Sequence, residues 1–278
     1  MNNQYNLGIV GQTSGSFAPL LYSQFLAQYN INGGYSAFKL EDSAELPVLI
    51  HFLERFGFMG LNLTSLHKQS AIQYLHEADE PVRELGVADT LHYTEGWKGY
   101  NTDIYGFKRL LELEDIDLSG KNILITGAGA ACRAVIYVLK SMGLTSVHVA
   151  NRNEGRVEDL REKFPSVEIK YLKYQQLKDA AAFDAVINTS AAEWGNKIWR
   201  DHFLGDAALL SGHMPETAID FDYRAAETPF LAQWGSSRKY NGLAVFAEKA
   251  VKSFEIFFGI TPKYSMDDLK KIIYNGQL

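Results

Sequence analysis

Two short stretches carry residues whose types and spacing suit chemistry. Residues 99–107 read GYNTDIYGF and run straight into the amphipathic KRLLELEDI. Asn101, Thr102 and Asp103 are the short, oxygen-bearing types that cap helix N-termini. Asp103 is therefore either a cap or a carboxylate placed for catalysis, and the local sequence leaves both open. The second stretch, NILITGAGAACRAVIYVLKSMGLTSVHVANR, sets a glycine-rich turn between an apolar run and a helical pattern. Gly127 permits the tight turn, Gly129 lets the backbone approach a pyrophosphate, and the third, small position is Cys132. A helix beginning near Ala130 would aim its N-terminal amides at the phosphates. Cys132 reads as a packing residue rather than a redox thiol. At the end of the next strand an NAD enzyme would carry Asp or Glu for the ribose hydroxyls; here stand Asn151 and Arg152, with Arg156 a turn further on. Guanidinium groups suit a 2′-phosphate, so NADP is expected rather than NAD. The alternative is that both arginines are solvated charges at a helix start.

These groups need an α/β frame to position them. Short β-rich runs alternate with helical patterns from the start, the signature of a largely parallel sheet. Strands are expected at 5–10, 36–40, 59–63, 88–92 and 96–100, with helices at 19–29, 44–56, from about 69, and from the GYNTD stretch to about 113. After the turn-like DLSGK a second series begins, with strands at 122–126, 146–150, 168–172, 184–188 and 218–221 and helices at 130–142 and 154–164. Residues 243–258 and 267–273 are again helical. The expected division is 1–103 plus 243–278, a discontinuous first domain closed by the final helices, and 104–242 as a second.

Composition narrows the function classes. Of 278 residues, 46% are apolar and 22% charged, an ordinary globular balance. A formal charge of −6 argues against nucleic acid as a partner, since phosphate recognition rests on clustered Lys and Arg. The single cysteine excludes an intrachain disulfide and fits a reducing compartment. The opening MNNQYNLGIV lacks a basic segment ahead of an apolar core, and no apolar run approaches membrane-spanning length. A cytoplasmic, membrane-free protein is expected. The histidines at 51, 67, 76, 92, 148, 202 and 213 show no zinc-site spacing, so no metal is expected.

Five segments, in order, resemble the shikimate dehydrogenase family. They are GLNLTSLHK, matching GxNxTxxxK at Gly60, Asn62, Thr64 and Lys68; GVADTL at 86–91; NTDIYGF at 101–107; the GAGAACRA turn with NRNEGR; and DFDYRAAETPFL followed by Gly242 and Leu243. The resemblance implies an α/β enzyme of two domains, an N-terminal substrate-binding domain completed by the C-terminal helices and a Rossmann-type NADP domain, with a cleft between them. It implies hydride transfer between NADPH and 3-dehydroshikimate to give shikimate, with Lys68 and Asp103 as the catalytic pair. Asp103 would then both begin a helix and work in the site. The chemistry suits the pair: as hydride reaches a carbonyl carbon, an ammonium can stabilise and protonate the oxygen, and a carboxylate can orient that ammonium. The implied cofactor contacts are Gly127, Ala128, Gly129, Ala130, Ala131, Asn151, Arg152, Arg156, Thr189, Ser190, Phe221 and Gly242. The implied substrate contacts include Asn62, Thr64 and Asn101, with Tyr223 on the ring carboxylate. The protein would act on a small cyclic hydroxy acid as a monomer or homodimer.

The chain departs from the family pattern in three places. The N-terminal GxPIxHSxSP is reduced to GQTSGSFAP, so Ser16 stands at the first serine, Ala18 at the second, and Ser14 is the available substitute. The asparagine of GAVNT is Asp89, and the C-terminal glutamine is Lys249. Either these two changes are linked, an amide pair becoming a charged pair with net charge conserved, or Asp89 caps a turn while Lys249 faces solvent. Such swaps could redirect specificity. The alternatives to shikimate are quinate, aminoshikimate or another hydroxylated cyclic carboxylate, and, from another class, a weakly or non-catalytic regulatory protein that keeps the fold and the nucleotide site.

Overall fold

The segment YNLGIVG is buried from Leu7 through Gly11, on both faces of a strand, and such a strand needs cover on each side. The computed structural model describes residues 4–179, 182–190, 214–235 and 237–275. In it this segment, β1 (Tyr5–Gly11), pairs in parallel with β2 (Gly33–Lys39) and with β3 (Phe58–Leu63). The intervening helices, α1 (Ala18–Gln28) and α2 (Leu46–Arg55), each place a proline in the first turn, where the missing N–H costs no helical bond. Beyond β3 lie a short α3 (His67–Ser70), β4 (Glu77–Ala78), α4 (Glu80–Leu85), β5 (Thr90–Tyr93) and β6 (Trp97–Tyr100). Sheet order is β2-β1-β3-β5-β6-β4.

This sheet is mixed, not largely parallel, because β5 runs antiparallel to both β3 and β6. Only Thr94, Glu95 and Gly96 join β5 to β6, a link long enough for a hairpin and far too short for a parallel crossover. Leu46, Ile50 and Leu53 of α2, spaced as one helical stripe, pack with Val10, Leu61 and Leu63 of the sheet. Each such buried side chain contributes about 1.5–3 kcal/mol.

Two compact units result: Met1–Gly106 with Ala247–Lys271, and Phe107–Phe246 with Ile272–Leu278. The chain passes between them inside α5 (Thr102–Leu113), again inside a long helix near the C-terminus, and a third time inside the last helix. In the second unit β7 (Ile123–Thr126) is buried at all four positions. It is joined by β8 (Ser146–Ala150), β9 (Glu168–Leu172), β10 (Ala185–Asn188), β11 (Thr217–Asp220) and β12 (Arg238–Asn241). All pairings here are parallel, in the order β12-β11-β10-β7-β8-β9. From β7 the chain winds outward through α6 (Ala130–Ser141), β8, α7 (Gly155–Lys163) and β9, and β10 starts a second series on the other side of β7. Such a reversal is the place where open α/β sheets bind ligands. The two C-terminal helices are α8 (Leu243–Phe258) and α9 (Met266–Asn275).

Candidate active site

Lys68 and Asp103 lie 35 residues apart and meet in the first unit. β3 ends at Leu63, the next residues turn, and α3 carries Lys68 in its only turn. Buried His67 fixes that turn. Its Nε2 lies 3.0 Å from the Leu40 carbonyl, which can only accept, so Nε2 carries the proton; its Nδ1 is 3.2 Å from Ser43 Oγ. Asp103 enters from β6 as the second residue of α5. Lys68 Nζ bonds Asp103 Oδ2, and Lys249 Nζ, from the middle of α8, bonds Oδ1. One carboxylate thus takes an ammonium on each oxygen. Side-chain exposure is 3% for Asp103, 8% for Lys68 and 27% for Lys249, so the pair is dry and the third member reaches solvent. Burial alone would raise the Asp103 carboxyl; the charges of Lys249 and Lys68 outweigh it and hold the group below the usual carboxylate range.

Asp103 does not cap its own helix. Asn101 Oδ1 accepts from Ile104 N at 3.2 Å, while its Nδ2 donates to the Val87 carbonyl at 3.2 Å. Asp89 takes the two remaining amides, Thr102 N at 2.8 Å on Oδ1 and Asp103 N at 2.7 Å on Oδ2. The two alternatives for these residues are each met in part: Asp89 caps a helix start, and Lys249 pairs with a carboxylate, that of Asp103, instead of only facing solvent.

Behind these groups runs a buried polar chain. Tyr35 OH donates to Asn62 Oδ1 at 2.8 Å, and Asn62 Nδ2 donates to Ser253 Oγ and Thr90 Oγ1, both at 3.0 Å. Ser253 Oγ is 2.9 Å from Thr90 Oγ1, and Thr90 and Thr102 both donate to Asp89 Oδ1, at 2.9 and 2.8 Å. Asn62 and Asn101, expected at the substrate, spend their amides inside the protein. Tyr35, His67 and Ser253 have no site role in the sequence reading. Ser253 had a signal, standing one turn beyond Lys249 on the same face of the helix.

Thr64 Oγ1 accepts from Gln12 N at 2.9 Å and so ties the β1–α1 turn to the loop that carries Lys68. Ser14 is exposed on that turn, and Ser16 Oγ accepts from Ala18 N at 3.3 Å. Tyr223 belongs to the second unit, where its ring stacks on Phe246 at 4.4 Å.

The second unit holds the glycine turn at the carboxyl end of β7. Gly127 has φ +93°, and a Cβ there would lie 2.9 Å from Ser190 Oγ and 3.1 Å from Thr189 Oγ1. Gly129 has open space where a Cβ would stand, and as the residue before α6 it brings no side-chain cap to the helix amides. An uncapped helix start beside bare backbone fits a pyrophosphate. Ala128, Ala130 and Ala131 keep the turn small, and Cys132 is fully buried, its thiol pushed up to about 12 by burial, which suits packing and not redox work. Asn151 Nδ2 donates to the Asn153 carbonyl at 2.8 Å, shaping the loop that presents exposed Arg152 and Arg156. Those two guanidinium groups, past the end of β8, fit a 2′-phosphate better than bare ribose hydroxyls. Phe221 N donates to Asn188 O at 3.0 Å, and a Cβ on Gly242 would overlap the Phe221 carbonyl, so only glycine fits there.

Among the described residues no group of three or more His, Cys, Asp and Glu could hold a metal, and no helix is long and apolar enough to cross a membrane. His202 and His213 lie outside the described residues.

Residues 9–91 match the model of the shikimate dehydrogenase substrate binding domain, and residues 109–202 match that of shikimate / quinate 5-dehydrogenase. The chain is 33% identical over 254 residues to the NADP(+) shikimate dehydrogenase of Caldicellulosiruptor saccharolyticus, covering 88% of each protein. Its fold is similar to shikimate dehydrogenase from Aquifex aeolicus, with a TM-score of 0.80 at 24% identity over 97% of this chain and 98% of that one. It is also similar to the Thermus thermophilus shikimate 5-dehydrogenase solved with NADP(H) and shikimate, with a TM-score of 0.77 at 25% identity over 93% and 95% of the two chains.

Proposed function

The chain belongs to the shikimate dehydrogenase family, and on that premise we propose that it transfers hydride reversibly between NADPH and 3-dehydroshikimate to give shikimate. The buried ion pair of Lys68 and Asp103 carries the reading, since a dry ammonium oriented by a carboxylate suits a carbonyl that is gaining negative charge. NADPH, when bound, supplies the hydride to the carbonyl carbon. Lys68 gives its proton to the oxygen as the carbonyl electron pair moves onto it, and in the other direction the amine takes that proton back. Asp103 holds the ammonium in line and stays anionic throughout.

In this reading residues 1–103 with 243–278 bind the ring acid and residues 104–242 bind NADP. Ser14, Ser16 and Thr64 serve the ring carboxylate and hydroxyls from the β1–α1 turn and the loop after β3. The segment from Gly127 to Ala131 receives the pyrophosphate, Asn151, Arg152 and Arg156 the 2′-phosphoribose, and Thr189, Ser190, Phe221 and Gly242 complete the cofactor cradle. The setting is cytoplasmic, with the enzyme acting as a monomer or homodimer and needing neither metal nor nucleic acid.

Mixing pure protein with NADP and shikimate, and following absorbance of the reduced cofactor, tests the proposal; quinate and the aminated analogue in the same panel test the choice of ring acid. Lys68→Ala should lower turnover by about 10²–10⁴-fold with NADP affinity nearly unchanged. A large loss of NADP binding in that variant would overturn the division of roles.

A further inference from the structure

The charged side chains gathered at the start of α5 differ in what they show to a ligand. Lys68 and Asp103 are buried, whereas Lys249 reaches solvent. The anions are turned inward. Asp103 spends one oxygen on each lysine, and buried Asp89 accepts from Thr90 Oγ1, Thr102 Oγ1 and Thr102 N on Oδ1 and from Asp103 N on Oδ2. The exposed member of the cluster is therefore a cation, and it lies near the proton-handling group. Both ammonium groups sit on one carboxylate, so their nitrogens are within about 8 Å of each other, two hydrogen bonds and one carboxylate apart. A six-membered ring whose carbonyl oxygen takes the proton of Lys68 spans that distance with its other substituents. The place of Lys249 is also fixed: one turn on along α8, Ser253 Oγ is bonded to Asn62 of β3 and Thr90 of β5.

An amide and an ammonium read a ligand differently. The glutamine of the family pattern offers an NH₂ donor and a carbonyl acceptor, and can serve a hydroxyl or an amine. A lysine ammonium has three donors and no acceptor, so its ligand must bring a lone pair. A hydroxyl oxygen brings one. An aliphatic amine at neutral pH is protonated, has no lone pair to offer and carries a like charge. We propose that Lys249 is a specificity-determining residue, admitting ring acids that bring hydroxyl oxygens to its ammonium and rejecting those that bring an amine. The inference rests on the dehydrogenase reading and narrows its substrate class, since it removes the aminated analogue from the ring acids the site takes. Selection comes from donor–acceptor mismatch and like charge, and leaves the pairing of Lys68 with Asp103 as it is.

The test is the ratio of kcat/KM for shikimate over aminoshikimate in wild type, Lys249→Gln and Lys249→Arg; a folding or turnover defect common to both acids cancels in that ratio. Wild type should favour shikimate by about a hundredfold or more, because like charges set face to face are strongly disfavoured. Lys249→Gln should lower the ratio by about tenfold or more, whatever it does to turnover itself. Lys249→Arg, still cationic and donor-only, should hold the ratio within about threefold. An unchanged ratio in Lys249→Gln, or a wild type that takes aminoshikimate as well as shikimate, overturns the proposal. If wild type oxidises neither acid, the dehydrogenase reading fails, and calorimetric binding of the same two acids decides the inference by the same comparison of variants; binding of neither overturns the inference too. Should Lys249→Gln not fold, Lys249→Met must lower the ratio in its place, and a ratio that Lys249→Met leaves unchanged overturns the proposal.

Discussion

The Asp103 carboxylate receives an ammonium on each oxygen, and the capping of its helix falls to its neighbours. Asn101 takes one amide and Asp89 takes two, the latter from 13 and 14 residues back in the chain. The triplet Asn-Thr-Asp was legible as a helix start, and the resemblance marked Asp103 as a working residue. That the two duties are split between different side chains was not legible, because a cap supplied across a hairpin leaves no local spacing to read. The arginines pose a residue-scale question of the same kind. Arg152 and Arg156 are exposed, as solvated charges would be, yet they follow the strand that ends beside the glycine turn. Hydrogen bonds to a charged group contribute about 1.5–3 kcal/mol. Arg152→Ala should therefore raise the KM for NADP by about ten- to a hundredfold and leave that for NAD nearly unchanged. Steady-state kinetics with both cofactors measure this, and an equal loss with NAD would mean that the guanidinium does not read the 2′-phosphate.

Elements with a strong period were read correctly, among them β8, β9 and α8, because apolar residues recur at strand or helix spacing over their full length. The misses were β4, α4 and β12. The first two are shorter than any window in which a period registers, and β12 is an edge strand, RKYN, whose polar composition hides it. Nor does the pattern reveal what joins the strands at their carboxyl ends. Thr126 Oγ1 of β7 donates to Asn188 Oδ1 of β10 at 2.7 Å, Asn188 Nδ2 donates to Asp220 Oδ1 of β11 at 2.8 Å, and Thr228 Oγ1 reaches Asp220 Oδ2 at 2.5 Å. This buried chain levels three strands beneath the glycine turn. Burial raises the Asp220 carboxyl to about 6, with the hydrogen bonds from Thr228, Asp222 N and Asn188 opposing it. A raised carboxyl contributes stability that is complete below its unfolded value and is lost as pH rises through about 6. Asp220→Asn should remove that loss. Relative to wild type the variant should gain on the order of 2–3 kcal/mol between pH 4 and pH 7, measured by urea unfolding. A constant offset across that range would show that the carboxyl does not titrate there.

At the scale of the whole molecule, each unit has its own sheet and its own core, Val10 with Leu46, Leu61 and Leu91 in the first and Leu124 with Phe183, Phe230 and Trp234 in the second. Each also has its own set of functional groups. The first gathers Lys68, Asp103 and Lys249; the second presents bare backbone at Gly127 and Gly129. Two cores make a single unfolding transition an assumption to be checked, so a local probe is the better reporter. Ligand that binds the native state raises the free energy of opening at its own site by about 2.7 kcal/mol at a hundredfold excess over Kd, and protection against amide exchange follows it. NADP added alone should slow exchange at the start of α6, residues 129–133, with little change at residues 64–68 and 101–104. Shikimate added alone should do the opposite. Hydrogen-exchange mass spectrometry resolves both segments, and protection of residues 64–68 by NADP alone, without protection of α6, would contradict the assignment of ligands to units.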